Sequence, residues 1–309
     1  MANQRTFYAC QAVALTPLTP VQGSTDQFTV GTSKFVHGVQ SIGFNSTFNI
    51  ENIFELGQLE LYDTNLTSAE VEVTIEKVLD GRKTSWGIIA NNKTLLLECA
   101  KQRANLDFVI YADTGNAGPS QQLSIKCTGM YVNNVSYSFP VEGNPTESVT
   151  LIGNHKAWSG GSITVPQSVT GGTDTADVLK RSDIQVTAPG SSRRQNVSIS
   201  LNLNREPVYQ LGQFGPYARF ATYPVEVTAE VEELLTDAAG QDAFDEGQDE
   251  VPVKDQTISV TAGSLTVNLG DKCFLSSSSQ SGGDASGGNV TLTNSYTTYN
   301  TFTVTDNGT

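Results

Sequence analysis

A chain of 309 residues is long enough for two domains of about 150 residues, and its 38% hydrophobic content lets each half bury a core. Only 16% of residues are charged; the polar content comes from Ser, Thr, Asn, Gln and 28 Gly, a strand-and-turn composition. With 18 basic against 32 acidic residues the net charge is −14, and both halves are acidic, which excludes the electrostatic footprint of a nucleic-acid binder.

The opening Met1-Ala2-Asn3-Gln4-Arg5-Thr6-Phe7 has no apolar h-region, so no signal peptide is expected. No apolar run reaches the roughly 18 residues a membrane helix needs. Cytoplasmic synthesis is the expectation, and sequons such as Asn45, Asn134 and Asn289 are then a by-product of composition.

In chain order, Ile42, Phe44, Ser46, Phe48 and Ile50 alternate with polar residues and predict a long strand. Val71, Val73 and Ile75 alternate with Glu70, Glu72, Thr74 and Glu76, a second strand with one wet face. Residues 93–103 are the best helix candidate. Strands are expected at 106–112, 122–127, 130–139 and 148–152. Residues 159–175 are rich in Gly, Ser and Thr and read as a linker. Val197, Ile199, Leu201 and Leu203 predict a strand, as do Val225, Val227, Ala229 and Val231. The latter could run into a short helix within 228–239. Residues 237–250 hold six acids and no base, 257–268 is strand-like, and 276–289 has the composition of a long hairpin loop. Strands at 289–294 and 300–305 complete the pattern.

Chemistry-bearing motifs are sparse. The acids Asp242, Asp245 and Glu246 break EF-hand spacing, so 237–250 reads as a solvated loop. The Gly282–Gly288 run lacks the Lys-Ser/Thr of a phosphate loop. Only two histidines exist, His37 and His155, and no GxSxG motif is present, so a triad or a multi-histidine metal site has no basis. Cys10, Cys99, Cys127 and Cys273 form no CxxC pair and read as buried free thiols. The glutamates of 70–76 and 226–232 read as a wetted sheet surface rather than a catalytic cleft. Phe54, Tyr62, Tyr209, Tyr217 and Phe220 are expected in core or interface packing rather than base stacking. Arg193-Arg194 is expected to pair with acids of a neighbouring subunit. No catalytic residue, cofactor-binding residue or metal ligand is assigned, and no enzyme activity is expected.

The chain repeats itself. Ile53-Phe54-Glu55-Leu56-Gly57-Gln58 with Tyr62 is echoed by Val208-Tyr209-Gln210-Leu211-Gly212-Gln213 with Tyr217, 155 residues later. Val71-Glu72-Val73-Thr74 recurs as Val225-Glu226-Val227-Thr228 at an offset of 154. Self-similarity at a fixed spacing fixes architecture before any local pattern does. The expected fold is all-β: two tandem β-sandwich or barrel domains with one or two short helices, at 1–160 and 176–309, joined by a linker at 161–175.

Each half resembles the tube-forming domain of the major tail tube proteins of long-tailed bacteriophages. The resemblance rests on Gly38-Val39-Gln40-Ser41, Phe48-Asn49-Ile50-Glu51, Phe54-Glu55-Leu56-Gly57-Gln58 and the run from Val71 to Gly81. Tyr137-Ser138-Phe139-Pro140-Val141-Glu142-Gly143-Asn144, with Glu147-Ser148-Val149-Thr150-Leu151, adds to it. In the second half Leu211–Arg219 and Pro224–Thr228 carry it. These are packing motifs and mark a fold.

The resemblance implies a structural, self-assembling subunit. Six such domains would close a ring whose inner strands form one barrel, and rings would stack through hairpins and loops. DNA would pass through the acidic lumen during ejection without specific binding. A typical family member has one such domain; with two, three chains would make a pseudo-hexamer, whereas six would be needed if only one domain lines the lumen. Other tail proteins would be partners: tape measure, tube terminator, baseplate or tip, and sheath where one exists. The place would be the virion tail, assembled in the host bacterial cytoplasm. The alternative is another virion module: a tail-tip, neck or decoration protein. A carbohydrate-active enzyme on a β-scaffold is a third class, and needs a cleft with an acid pair.

Overall fold

A computed structural model describes residues 11–21, 27–111, 121–159, 177–189, 193–234, 254–282 and 289–308. The linker expected at 161–175, the acidic loop at 237–250 and Cys10 lie outside these residues.

The first half runs β1 (Gln11–Pro20), β2 (Phe28–Val30), β3 (Lys34–Phe35), β4 (Val39–Phe54), β5 (Leu61–Val78), α1 (Ser85–Ala90), α2 (Leu96–Cys99), β6 (Arg103–Tyr111), β7 (Gln121–Pro140), β8 (Thr146–Gly153) and β9 (His155–Ser159). The second runs β10 (Ile184–Thr187), β11 (Arg194–Asn202), β12 (Arg205–Val208), β13 (Ala218–Ala221), β14 (Glu226–Leu234), β15 (Ser259–Ala262), β16 (Leu265–Asn268), β17 (Phe274–Ser281), β18 (Thr291–Tyr299) and β19 (Thr303–Asp306). The protein is all-β; among the described residues there are two short α-helices, and the strand pairs are antiparallel.

Two expectations fail for clear reasons. The helix expected at 93–103 shrinks to four residues, and residues 226–234 form a strand with no helical turn. In β14 the alternation of Val227, Ala229 and Val231 decides, because β11 and β18 hydrogen-bond to both of its edges. Helix α1 has no amphipathic period to announce it. Its first turn is stabilised from outside: Thr84 caps it by accepting from Gly87 N (2.9 Å), and the buried Glu147 carboxylate accepts from Ser85 N (2.6 Å) and Trp86 N (3.1 Å). Gly87 is required because a Cβ there would collide with the Asp306 carboxylate.

The repeat is visible in the sheet. In the first half β4 pairs β5, β5 pairs β8 and β8 pairs β7. In the second, β11 pairs β14, β14 pairs β18 and β18 pairs β17. Each half thus contributes four strands in the same order. The halves join edge to edge where β7 pairs β11, Val197 facing Phe139 and Ile199 facing Tyr137. The hairpins also match: Ile53 faces Asp63, and at the 155-residue offset Val208 faces Ala218.

Inward residues of both halves belong to one hydrophobic cluster, including Val73, Ile75, Val149 and Leu151 from the first and Val197, Ile199, Val227 and Tyr296 from the second. A four-stranded sheet, β10-β15-β16-β19, lies against α1. There Trp86 meets Phe302 edge-on at 6.3 Å, and Thr84 donates through N (2.6 Å) and Oγ1 (2.8 Å) to Asp306 Oδ2. The last strand of the chain therefore fastens a helix of the first half.

Candidate assembly surfaces

The eight-strand run has one face on the core and one open. Successive side chains of a strand point to opposite faces, so the open face is read by taking every second residue. One rung crosses the whole run: Ser41, Glu76, Ser148, Ser136, Ser200, Thr228, Thr297 and Phe274. The next includes Ser138, Ser198, Glu230, Ser295 and Ser277. Most open-face positions are Ser, Thr, Asn and Glu; the exceptions are Gly43, Val78, Ile152, Pro140, Leu234, Phe274 and Tyr299, and no Lys or Arg occupies one. Glu72 and Glu76 on β5 and Glu226, Glu230 and Glu232 on β14 line it. The sequence-expected wetted face is thus a single acidic surface shared by both halves.

The face is internally bonded. Ser41 Oγ donates to Glu76 Oε2 (2.7 Å), the Ser200 and Thr228 hydroxyls are 2.7 Å apart, and those of Thr74 and Thr150 3.4 Å. Such cross-strand pairs of short side chains add to the stability of the sheet.

At one end of each half a hairpin arm projects. Both arm tips close on a type II turn, in which the third residue needs a positive φ. Gly57 has φ +97° and Gly212 φ +86°, with Gln58 N bonded to Glu55 O (3.2 Å) and Gln213 N to Gln210 O (3.4 Å). The leucine before each glycine, Leu56 or Leu211, is fully exposed. Phe54, Tyr62, Tyr209 and Phe220, expected in core or interface packing, are all more than half exposed, so they are not core residues of this chain. These side chains, with Leu56 and Leu211, make the arm tips apolar and open to solvent.

The two arms differ at their bases. The β12–β13 arm is tied to the first half. Arg205 donates to Val132 O (2.8 Å) and Ala100 O (2.8 Å) and stacks over Tyr131; Arg219 pairs with Glu70 (3.0 Å) and Asn154 Oδ1 (2.8 Å). Burial pushes the Arg205 guanidinium down to about 10. Between that arm and the first half lies a cavity of about 220 Å³ lined by Phe28, Tyr131, Tyr217, Phe220 and the arginines 103, 205 and 219. The β4–β5 arm carries Ile50 where β12 has Arg205, and its residues from Thr47 to Leu66 are exposed.

Other candidate residues fall into structural roles. Arg194, expected to reach a neighbouring subunit, instead donates to Val186 O (2.9 Å) and Ala188 O (2.5 Å) and lies 3.7 Å from Glu233. Cys99, Cys127 and Cys273 are buried free thiols. His155 starts β9 in an exposed position, and His37 is half-buried before β4. Among the described residues no group of three or more His, Cys, Asp or Glu could hold a metal ion, and no helix is long and apolar enough to cross a membrane.

Sequence reasoning missed the buried polar set of Glu147, Lys77 and Tyr137. Tyr137 Oη donates to Glu147 Oε1 (3.1 Å); Lys77 Nζ donates to Lys83 O (3.0 Å) and lies 3.5 Å from Asp80. Desolvation and the facing carboxylate push the Tyr137 phenol well above its ordinary range. The signal was in the sequence: Glu147 sits in phase with Val149 and Leu151, the inward positions of β8.

No protein-family model matches this sequence, and no curated protein matches it.

Proposed function

We propose that this protein is a structural subunit of a phage tail tube, polymerising into stacked rings around an acidic channel through which DNA passes during ejection. The observation that carries the reading is the doubled four-strand unit, continuous in one sheet, with an acidic open face on one side and the core on the other. Such a sheet, curved and closed with copies of itself, would line a channel with glutamate and hydroxyl groups. Phosphate would be repelled from that wall along its whole length, so DNA would pass without being held.

The remaining features suit the same role. The exposed arms, with leucine at each tip, are surfaces that a stacked ring would cover. Two ring units in one chain favour three copies per ring as a pseudo-hexamer. Self-association, contact with other tail proteins and a place in the virion tail all belong to this proposal.

The test is negative-stain imaging of the purified protein under assembly conditions. Open-ended tubes with a regular axial repeat are expected. Discrete particles or monomers alone would overturn the reading and favour a tip, neck or decoration protein.

A further inference from the structure

We propose that the cavity between the β12–β13 arm and the first half binds a small aromatic carboxylate, with aromatic side chains around its ring and the guanidinium groups of Arg103 and Arg205 taking its charge. The site lies within one chain, on side chains of β2, β6, β7, β12 and β13, and does not depend on the tube reading.

The first support is charge. The chain has 32 acidic against 18 basic residues, yet the cavity of about 220 Å³ is lined by Arg103, Arg205, Arg219 and Lys101 and, among the described residues, by no Asp or Glu. Arg219 is neutralised by Glu70 (3.0 Å), which lies outside the lining, and donates to Asn154 Oδ1 (2.8 Å). Arg205 has no carboxylate within ion-pair reach among the described residues. It donates through Nε to Val132 O (2.8 Å) and through Nη1 to Ala100 O (2.8 Å), and its buried Nη2 has no hydrogen-bond partner there. Burial, with the neighbouring charge of Arg103, pushes the guanidinium down to about 10, so it is still charged at neutral pH. A buried charge without a counter-charge is costly. A carboxylate supplies that counter-charge, and its two oxygens match the guanidinium fork.

The second support is the shape of the lining. The Arg103 guanidinium lies 4.1 Å from the Phe28 ring centroid and 4.5 Å from that of Tyr131, and Arg205 lies 5.1 Å from Tyr131. The cations are thus stacked on aromatic faces, and Tyr217, Phe220 and Tyr223 add further rings to the walls. A bare inorganic anion would leave those walls uncovered, whereas a flat apolar body covers them. Size narrows the class. An apolar cavity of about 150 Å³ takes benzene, and drug-sized ligands occupy pockets of about 300 Å³ or more. A cavity of about 220 Å³ therefore suits one or two rings bearing one carboxylate.

The third support is the repeat, which serves as an internal control. At the 155-residue offset, Arg205, Arg219 and Phe220 correspond to Ile50, Thr64 and Asn65 of the first arm. That arm forms the same hairpin, with Ile53 facing Asp63 as Val208 faces Ala218. The hairpin itself therefore needs neither the arginines nor the phenylalanine. Tying the second arm to the first half accounts for Arg219 and for two donors of Arg205. It does not account for the remaining Nη2, for the like charge of Arg103 beside it, or for Phe220, a cavity wall that is 52% exposed.

Isothermal calorimetry on the dispersed full chain tests the site, with 2-naphthoate as the probe and 2-naphthamide as its neutral isostere. 2-Naphthoate should bind at one site per chain, at least about tenfold more tightly than the amide, because only the acid makes the charge-assisted pair. Arg205→Gln should narrow that preference. Phe220→Ala removes a half-exposed wall and leaves the core filled, so it decides the matter even if Arg205→Gln fails to fold. It should weaken 2-naphthoate binding roughly tenfold with an unchanged melting temperature. Phe54→Ala, on the tip of the first arm, should bind as the unmodified chain does. Equal affinity for acid and amide, unchanged binding in Phe220→Ala, an equal loss in Phe54→Ala, or no binding up to about 1 mM would each overturn the site. None of these results bears on whether the chain forms tubes, so the two readings fail separately.

Discussion

Phe48 and Leu203 occupy the same repeat position, yet one is 59% exposed and the other fully buried. Alanine at each should therefore do opposite things. A Phe side chain offers roughly 200 Å², so covering its exposed part removes about 120 Å² from water. At about 25 cal/mol per Å² that is about 3 kcal/mol for each Phe48 that a neighbouring copy covers. Phe48→Ala should leave the dispersed chain's thermal unfolding nearly unchanged and raise the concentration for half-assembly by roughly 100-fold. Leu203→Ala removes a filled core volume and should cost about 2–5 kcal/mol of folding stability, lowering the melting temperature by several degrees. The assays are calorimetry of the dispersed chain and sedimentation across a concentration series. Equal losses of folding stability in the two variants, or normal assembly of Phe48→Ala, would refute the reasoning.

Glu147→Ala should cost about 3–5 kcal/mol, because it leaves three buried donors, Ser85 N, Trp86 N and Tyr137 Oη, without their acceptor; a loss under about 1 kcal/mol in urea titration would contradict this. Burial pushes Cys99 from its ordinary 9.0 to about 12 and Cys127 to about 11. Peptide mapping after alkylation at about pH 8 should find both protected in the native protein and labelled in denaturant. The unfolded chain loses these protons first, so their stabilising contribution is complete below pH 9.0 and disappears as pH rises toward the folded values. The urea midpoint should fall over that window, and a flat profile would count against it. Replacing Glu72, Glu76 and Glu230 with Lys should make assembled tubes retain DNA at low salt and release it as salt rises; tubes that stay indifferent to DNA would show that this face does not line the channel.

The sequence announced the strands whose side chains alternate cleanly, such as β5 and β14, and both arms were legible as the Leu-Gly-Gln turn and its echo. Its helical signals misled. Residues 93–103 have helix-forming Leu, Glu and Lys, but only Leu96–Cys99 form a helix. Ser85–Ala90 lacks any period and is helical because Glu147 and Asp306, distant in sequence, satisfy and crowd its first turn. A local pattern cannot foresee a cap supplied from 62 residues away. The aromatic echoes at Phe54, Tyr62, Tyr209 and Phe220 could be assigned to packing but not to a side of the surface, since apolar character alone does not distinguish core from contact face. Arg205 stands at the repeat position of Ile50, and the structure gives the reason for the difference: it ties the second arm to the first half, while the first arm is exposed from Thr47 to Leu66.

The central claim concerns how many chains close a ring. Tubes should be dissociated gently and the released rings weighed by native mass spectrometry. Three copies of the 33.0 kDa chain are expected, because each chain supplies two four-strand units. Six copies would contradict that count, and a chain that never forms rings would contradict the account as a whole.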